Sequence, residues 1–282
     1  MIDRRMDLTE EFRLETLANG WVVGRFGALE AMGVAHLVTT RRGPDVQQVR
    51  HDPAAAGREI ARVLGFDEAA FLEQVHGGEV LACERGGCAG YADGLVTAAK
   101  GLLLMGKSGD CPVILIADRH KRAVGFAHAS WRATVAGITP AVVRRMAELG
   151  CDPRDLVACI CPSAGPECYE VGDEVLTTAV QGIGPHAQEF LHPVGWQRQA
   201  QPVDGSHPDP GTHPGKYLFD LWHANTDALI RAGLEPESIH AAEVCTLCRN
   251  DLFPSHRREG NTCGRFAAVI GWPAALDWAA LS

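Results

Sequence analysis

Short apolar runs crowd the middle of the chain: Gly94-Leu95-Val96-Thr97-Ala98, Leu102 to Lys107, Val113 to Ala117, Ala123 to Ala127 and Leu156 to Cys161. Each is bounded by Gly, Asp or Pro, a pattern that suits buried strands and predicts a sheet-built centre. From Arg132 to Leu149, Val135, Ile138, Val142, Met146 and Leu149 step by three and four, placing them on one helix face. Pro140 either kinks that helix or restarts it with Thr139 as N-cap. A second helix is predicted over about Phe219 to Ala232, stopped by Gly233, with closing strands at Ile239 to Val244 and Phe266 to Trp272. Strands and helices do not alternate regularly, so the expectation is an α+β fold and not a doubly wound sheet.

Composition bounds the rest. The 282 residues, 46% hydrophobic and 22% charged, describe a chain that folds, with no repeat of 20 to 50 residues to suggest a solenoid. The longest apolar runs, Val113 to Ala117 and Leu102 to Met105, fall far short of the ~18 to 20 residues of a membrane span. The opening MIDRRMDLTEEF lacks the apolar stretch of an export signal, so a cytoplasmic location is expected. A net charge of −9 without a dense basic run disfavours nucleic acid and favours small-molecule partners. The segment His186 to Gly215, rich in Pro, Gly and Gln and carrying four histidines, is expected to be a long irregular loop whose histidines are solvated. Oligomeric state is left open.

Ten cysteines and twelve histidines in a chain without export features point to metal or catalytic chemistry more than to a disulfide framework. Three segments each offer a ligand beside a predicted strand end: Gln74-Val75-His76-Gly77, Gly109-Asp110-Cys111-Pro112 and Ala127-His128-Ala129-Ser130-Trp131-Arg132. Two imidazoles and a thiolate leave a fourth position open on zinc, as in catalytic sites. Yet 34 and 16 intervening residues form no zinc-finger spacing, and three ordinary strand-end residues would look the same.

Further motifs narrow the choice. Ala92-Asp93-Gly94-Leu95-Val96-Thr97, Pro162-Ser163-Ala164-Gly165-Pro166, Cys168-Tyr169-Glu170-Val171, Cys245-Thr246 and Ser255-His256-Arg257-Arg258-Glu259-Gly260, in order with the three segments above, resemble the YfiH-like family. That family is labelled multicopper polyphenol oxidase or laccase domain and is read as purine nucleoside phosphorylases with accessory adenosine deaminase activity; its relatives include peptidoglycan editing factors. The resemblance runs from Gln74 to the C-terminus. It implies a four-layer α/β/β/α sandwich with two mixed sheets, one domain over 1–282, and metal ligands His76, Cys111 and His128 for zinc, with copper possible. It also implies a purine nucleoside (adenosine, inosine, guanosine or methylthioadenosine) and phosphate as substrates. Asp93, Cys111 and Arg132 are then the expected catalytic residues, and Arg41, Asp93, Arg132, Ser163 and Cys168 the expected substrate-binding residues. Asp93 is expected to protonate the base or bind a ribose hydroxyl; Arg41 or Arg132 is expected to hold phosphate, since forked guanidinium donors suit oxyanions.

The chain departs from the family pattern in places. Ser130 and Ala133 stand where His-Ala-Gly-Trp-Arg-Gly has glycines, and Arg42-Gly43-Pro44-Asp45-Val46 replaces the usual continuation after Thr39-Thr40-Arg41. Cys245 and Cys248 with Cys263, plus His256, form a weaker candidate for a second zinc site, while Cys159 and Cys161 are expected to pack in the core. Two rival activities stay open: a thiol hydrolase or amidase on peptidoglycan precursors with Cys111 as nucleophile and His128 as base, and a copper-dependent phenol oxidase. A protein that metal merely staples is a third alternative.

Overall fold

The apolar runs are strands covered on both faces, and alternate residues of each feed two different cores. In Leu102–Ser108, Leu102 and Leu104 join one cluster while Leu103 and Met105 join another. In Val113–Asp118, Val113, Leu115 and Ala117 face inward and Ile114 and Ile116 outward. That double burial explains why these strands read as unbroken apolar stretches without polar alternation.

The computed structural model describes residues 5–194 and 215–274. Its largest sheet runs in the order Arg5–Asp7, Phe12–Thr16, Val22–Phe26, Ala35–Thr39, Phe266–Gly271, Leu102–Ser108, Glu68–Glu73 and Gly87–Tyr91. A second sheet runs Ile239–Ala241, Leu156–Ile160, Val113–Asp118, Val124–His128, Gly94–Thr97 and Val80–Ala82. Both are mixed: Glu68–Glu73 lies parallel to its two neighbours, and the second sheet has parallel pairs at each edge, the remaining pairs of both sheets being antiparallel.

Phe12, Phe26, Leu104 and Phe266 from the first sheet meet Leu95, Leu115 and Phe126 from the second in the central core. Burying each such side chain contributes roughly 1.5–3 kcal/mol. Outside the first sheet, Ala56, Ile60 and Ala61 of the helix Pro53–Leu64 pack on Leu37, Met105 and Val269. Outside the second, Ile138, Val142 and Met146 of Ile138–Glu148 and Trp222 and Leu229 of Leu221–Arg231 pack on Ile114, Ile116 and Ile160. The layers are therefore helix, sheet, sheet, helix, as the α+β expectation has it.

Several local expectations need correction. The helix predicted over Arg132 to Leu149 is two helices, Trp131–Val135 and Ile138–Glu148, separated where Gly137 adopts φ +78° and caps the second. Pro140 thus sits in a first turn, where its missing N–H has no intrahelical partner to lose. Thr139 is not the cap; its hydroxyl donates to Asn225 Oδ1 at 2.6 Å. The segment starting at His186 is not wholly irregular, because Pro185–Phe190 is a 3-10 turn and Leu191–Pro193 a strand. That strand joins Lys216–Phe219 and Glu170–Gly172 in a small third sheet absent from the expectation. Two of the segment's histidines, His207 and His213, lie outside the described residues. Phe219 ends a strand, so the following helix begins at Leu221, capped by Asp220. The strand predicted to Val244 stops at Ala241.

Candidate metal centre

Strand ends from both sheets deliver the site. Val113 pairs with His128 across the antiparallel hairpin, so Cys111, two residues before Val113, arrives beside the last residue of Val124–His128. His76 comes from the other sheet, three residues beyond Glu68–Glu73. Gln74 anchors that exit: its Nε2 donates to Lys107 O and its Oε1 accepts from Lys107 N, both at 2.8 Å, so the side chain imitates a strand pairing. The ligand atoms of His76, Cys111 and His128 all lie within 4.8 Å of one another, and the two imidazoles meet edge to face with centroids 5.0 Å apart.

Asp93 ties the two sheets' contributions together. Fully buried just before Gly94–Thr97, it accepts from His128 Nδ1 through Oδ1 at 2.8 Å. Its Oδ2 accepts from Gly77 N at 2.6 Å and Val75 N at 3.2 Å, one donor on each side of His76. His128 N also donates to Asp93 O at 2.7 Å. One carboxylate thereby sets the His128 tautomer, leaving Nε2 for Cys111, and holds the His76 loop, in which His76 itself has φ +63°. A non-glycine residue in that region is strained and persists when its surroundings over-determine it. A carboxylate behind a ligating imidazole is the usual outer partner of a metal site.

Asp110 plays the corresponding part for Cys111. At φ +117° it accepts from Thr246 Oγ1 and from Arg257 N, both at 2.6 Å, and its own carbonyl accepts from Ala164 N. Ser108 Oγ donates to Cys111 O at 2.5 Å.

The electrostatics follow from this packing. Burial pushes the Cys111 thiol up, but the charge and hydrogen bond of His128, then those of His76, outweigh it and bring it down to about 6. Burial likewise disfavours charged His128, yet Cys111 and Asp93 together raise it to about 9. Burial works against the Asp93 carboxylate, and the His128 and Gly77 hydrogen bonds still hold it below the ordinary range. Cys111 and His128 thus each favour the charged form of the other. Two nitrogens and a sulfur converging with an exposed His76 on one side form a donor set suited to a borderline-soft cation with an open position.

The other expected site residues are distributed as follows. Arg132 is exposed, stacks on Trp131 at 4.4 Å and has no ion pair among the described residues. Arg41 is ion-paired to Glu259 and donates through Nε to Asn250 O at 2.8 Å. Ser163 is fully buried, its Oγ accepting from Trp222 Nε1 at 2.6 Å. Cys168 gathers with Cys245 and Cys248, apart from the His76 trio. Cys263 does not join them; its thiol donates to Gly264 O at 3.1 Å. His256 is exposed. Ser130, at the former glycine position, has φ −55° and caps Trp131–Val135 by accepting from Ala133 N at 3.2 Å.

The geometry adds Tyr169 and Arg257. The Arg257 guanidinium lies 5.1 Å from the Tyr169 ring centre and donates to Glu170 O. Burial, then the nearby Cys111, raises the Tyr169 phenol, with Arg257 and Arg132 opposing. The signal was available, since both residues stand in motifs quoted above, although nothing in those motifs says that they meet.

The family described as multi-copper polyphenol oxidoreductase laccase matches residues 42–273. The purine nucleoside phosphorylase YlmD of Geobacillus stearothermophilus is 32% identical over 280 residues, covering 90% of this chain and 95% of that protein. A purine nucleoside phosphorylase of Deinococcus radiodurans is 32% identical over 253 residues, covering 88% of this chain and 87% of its own. The crystal structure of YlmD superposes with a TM-score of 0.74 at 30% identity, covering 93% of this chain and 99% of that one. The hypothetical protein YfiH of Bacillus licheniformis shares the fold, with a TM-score of 0.73 at 22% identity, covering 96% and 99%.

Proposed function

The chain belongs to the multi-copper polyphenol oxidoreductase laccase family, and from that membership we propose that it is a zinc-dependent purine nucleoside phosphorylase of the cytoplasm, one catalytic domain over 1–282. Relatives so named at 32% identity support the activity. The observation that carries the site is the convergence of His76, Cys111 and His128 beneath an exposed edge. One such trio makes one mononuclear centre, whereas four-electron reduction of oxygen calls for a copper cluster. Copper remains a competent occupant, since copper(II) binds N/S sites more tightly than zinc.

In phosphorolysis, an oxygen of hydrogenphosphate bonds to C1′ of the ribose as the C1′–N bond breaks; the purine departs with that electron pair and takes up the proton that the phosphate gives up. The products are the free base and ribose 1-phosphate. His76, Cys111 and His128 would hold a zinc ion, which would supply Lewis acidity to the reacting groups. Arg132, exposed and without an ion pair among the described residues, offers its forked donors to phosphate; Arg41 contributes less, being already held by Glu259. Asp93 acts through His128 and the His76 loop as a positioning residue, because its oxygens are engaged there. Ser163 and Cys168 shape the loop behind Asp110 and Cys111. Deamination of adenosine at C6 is a second activity suited to the same centre.

The test is product identification with metal-loaded protein, adenosine and phosphate. Adenine and ribose 1-phosphate in equal amounts, with no adenine when phosphate is omitted, is the expected result. Inosine alone moves the assignment to a deaminase, and neither product with zinc or copper present overturns it.

One observation favours a second reading. Cys111 beside a His128 that Asp93 orients, all within 4.8 Å with His76, is the arrangement of a thiol nucleophile and its base, as in an amidase on peptidoglycan precursors. Turnover that survives chelation and dies on alkylation of Cys111 would support it.

A further inference from the structure

Ten free cysteines are not all alike in their surroundings. Cys159 and Cys161 sit in the core between the sheets and Cys151 in the core beneath Ile138–Glu148, where a thiol behaves as a small hydrophobe. Cys168, Cys245 and Cys248 belong to none of the apolar clusters, yet their three sulfurs lie within 4.8 Å of one another. Cys168 and Cys248, 80 residues apart, have sulfurs 3.5 Å apart.

The backbone around them is built toward sulfur. Ser163 bridges to Cys245 in parallel fashion, with Ser163 N donating to Val244 O and Thr246 N to Ser163 O. This lays the Gly165–Cys168 turn against the Cys245-Thr246-Leu247-Cys248 turn. Gly165 N donates to Cys245 Sγ at 3.2 Å, an approach that glycine permits, since a Cβ there would stand 3.0 Å from Cys245 Cβ. An amide donor aimed at the first sulfur of a Cys-x-x-Cys turn suits a sulfur that carries negative charge.

We propose that Cys168, Cys245 and Cys248 form a second, all-thiolate metal site that takes one thiophilic cation, zinc(II) or copper(I). Thiolates select these ions. Three sulfurs would satisfy copper(I) directly, while zinc would need a fourth ligand, and the half-buried Cys245 and Cys248 leave solvent available to supply it. The ion clips together two turns that both brace Asp110, through Ala164 N on its carbonyl and Thr246 on its carboxylate. The site therefore sits directly behind the loop that presents Cys111, and it is independent of the phosphorylase reading.

Full-length reduced protein, stripped of metal, is titrated anaerobically with cobalt(II), zinc(II) and copper(I). Metal is expected to protect three more thiols from a disulfide reagent than Cys111 alone accounts for. Cys111→Ser should keep the strong sulfur-to-cobalt absorption of a site with several thiolates, while Cys248→Ser should lose it and still bind one equivalent at the His76 trio. The retained equivalent shows that the Cys248→Ser protein is folded. Cys111→Ser protein that binds none of the three ions through sulfur overturns the proposal. So does wild-type protein that takes one equivalent only and, on mild oxidation, closes a disulfide between Cys168 and Cys248, which would make the cluster a dithiol pair.

Discussion

Replacing Asp93 by Asn changes one atom and breaks the site whichever way the amide is turned. The carboxylate accepts three hydrogen bonds, from His128 Nδ1, Gly77 N and Val75 N, and has no exposure to water. If the Asn oxygen faces the two backbone amides, its NH2 opposes His128 Nδ1–H, and the neutral imidazole that metal binding needs must carry its proton on Nε2, the nitrogen that faces Cys111. If the oxygen faces His128, the NH2 meets two N–H donors that are left unsatisfied, at about 1–3 kcal/mol. Loss of an outer partner of this kind typically weakens metal binding by roughly 10–100-fold, equal to about 1.4–2.7 kcal/mol. Asp93→Asn should therefore bind zinc roughly 10–100-fold more weakly in competition with a chromophoric chelator. Metal-free Asp93→Asn should also lose about 1–3 kcal/mol in urea unfolding. Zinc affinity within about twofold of wild type would refute the role given to this carboxylate.

Other expectations follow from particular contacts. Arg132→Ala should raise the KM for phosphate by roughly 10–100-fold, the equivalent of one lost charge-assisted hydrogen-bond set, with Arg132→Lys intermediate; an unchanged KM would remove Arg132 from the anion site. His36 is buried and neutral, Nε2 accepting from Phe26 N and Nδ1 facing Val34 O, and burial lowers it from 6.5 to about 3. Its contribution is complete above pH 6.5 and is lost as pH falls toward 3, so unfolding at pH 5 should be easier by roughly 2 kcal/mol than at pH 7 from this group. His36→Leu should abolish that share of the pH slope, and an unchanged slope would contradict the assignment. Phe126→Ala empties the space between the sheets and should cost about 3–5 kcal/mol in urea unfolding; a loss below about 1 kcal/mol would mean that the sheets close over the gap.

Legibility in the sequence tracked how much of each residue's neighbourhood is local. The strands from Gly94 to Ile160 were readable because both faces are covered and apolar residues run unbroken. The alternation in Phe12-Arg13-Leu14-Glu15 is a weaker signal, though it marks a strand with one face in the central core. Gly137 hid the helix break, since the apolar spacing carries across it. The third sheet is made of strands of three or four residues including Pro193 and His192, too short for periodicity. In the site, His76, Cys111 and His128 stand in readable motifs, but the burial of Ser163 against Trp222 and the capture of Arg41 by Glu259 depend on partners 59 and 218 residues away. Cys245-x-x-Cys248 is visible as a pair in the sequence, where Cys263 and His256 are its candidate companions, and folding supplies Cys168 instead.

The most direct measurement of the central claim is formation of labelled ribose 1-phosphate from adenosine and labelled phosphate by one preparation in three states: zinc-loaded, chelator-stripped and zinc-restored. The expected result is formation in the first state, loss in the second and recovery in the third, with His76→Ala inactive throughout. Label incorporation that persists in stripped protein, or never appears in zinc-loaded protein, would contradict the account.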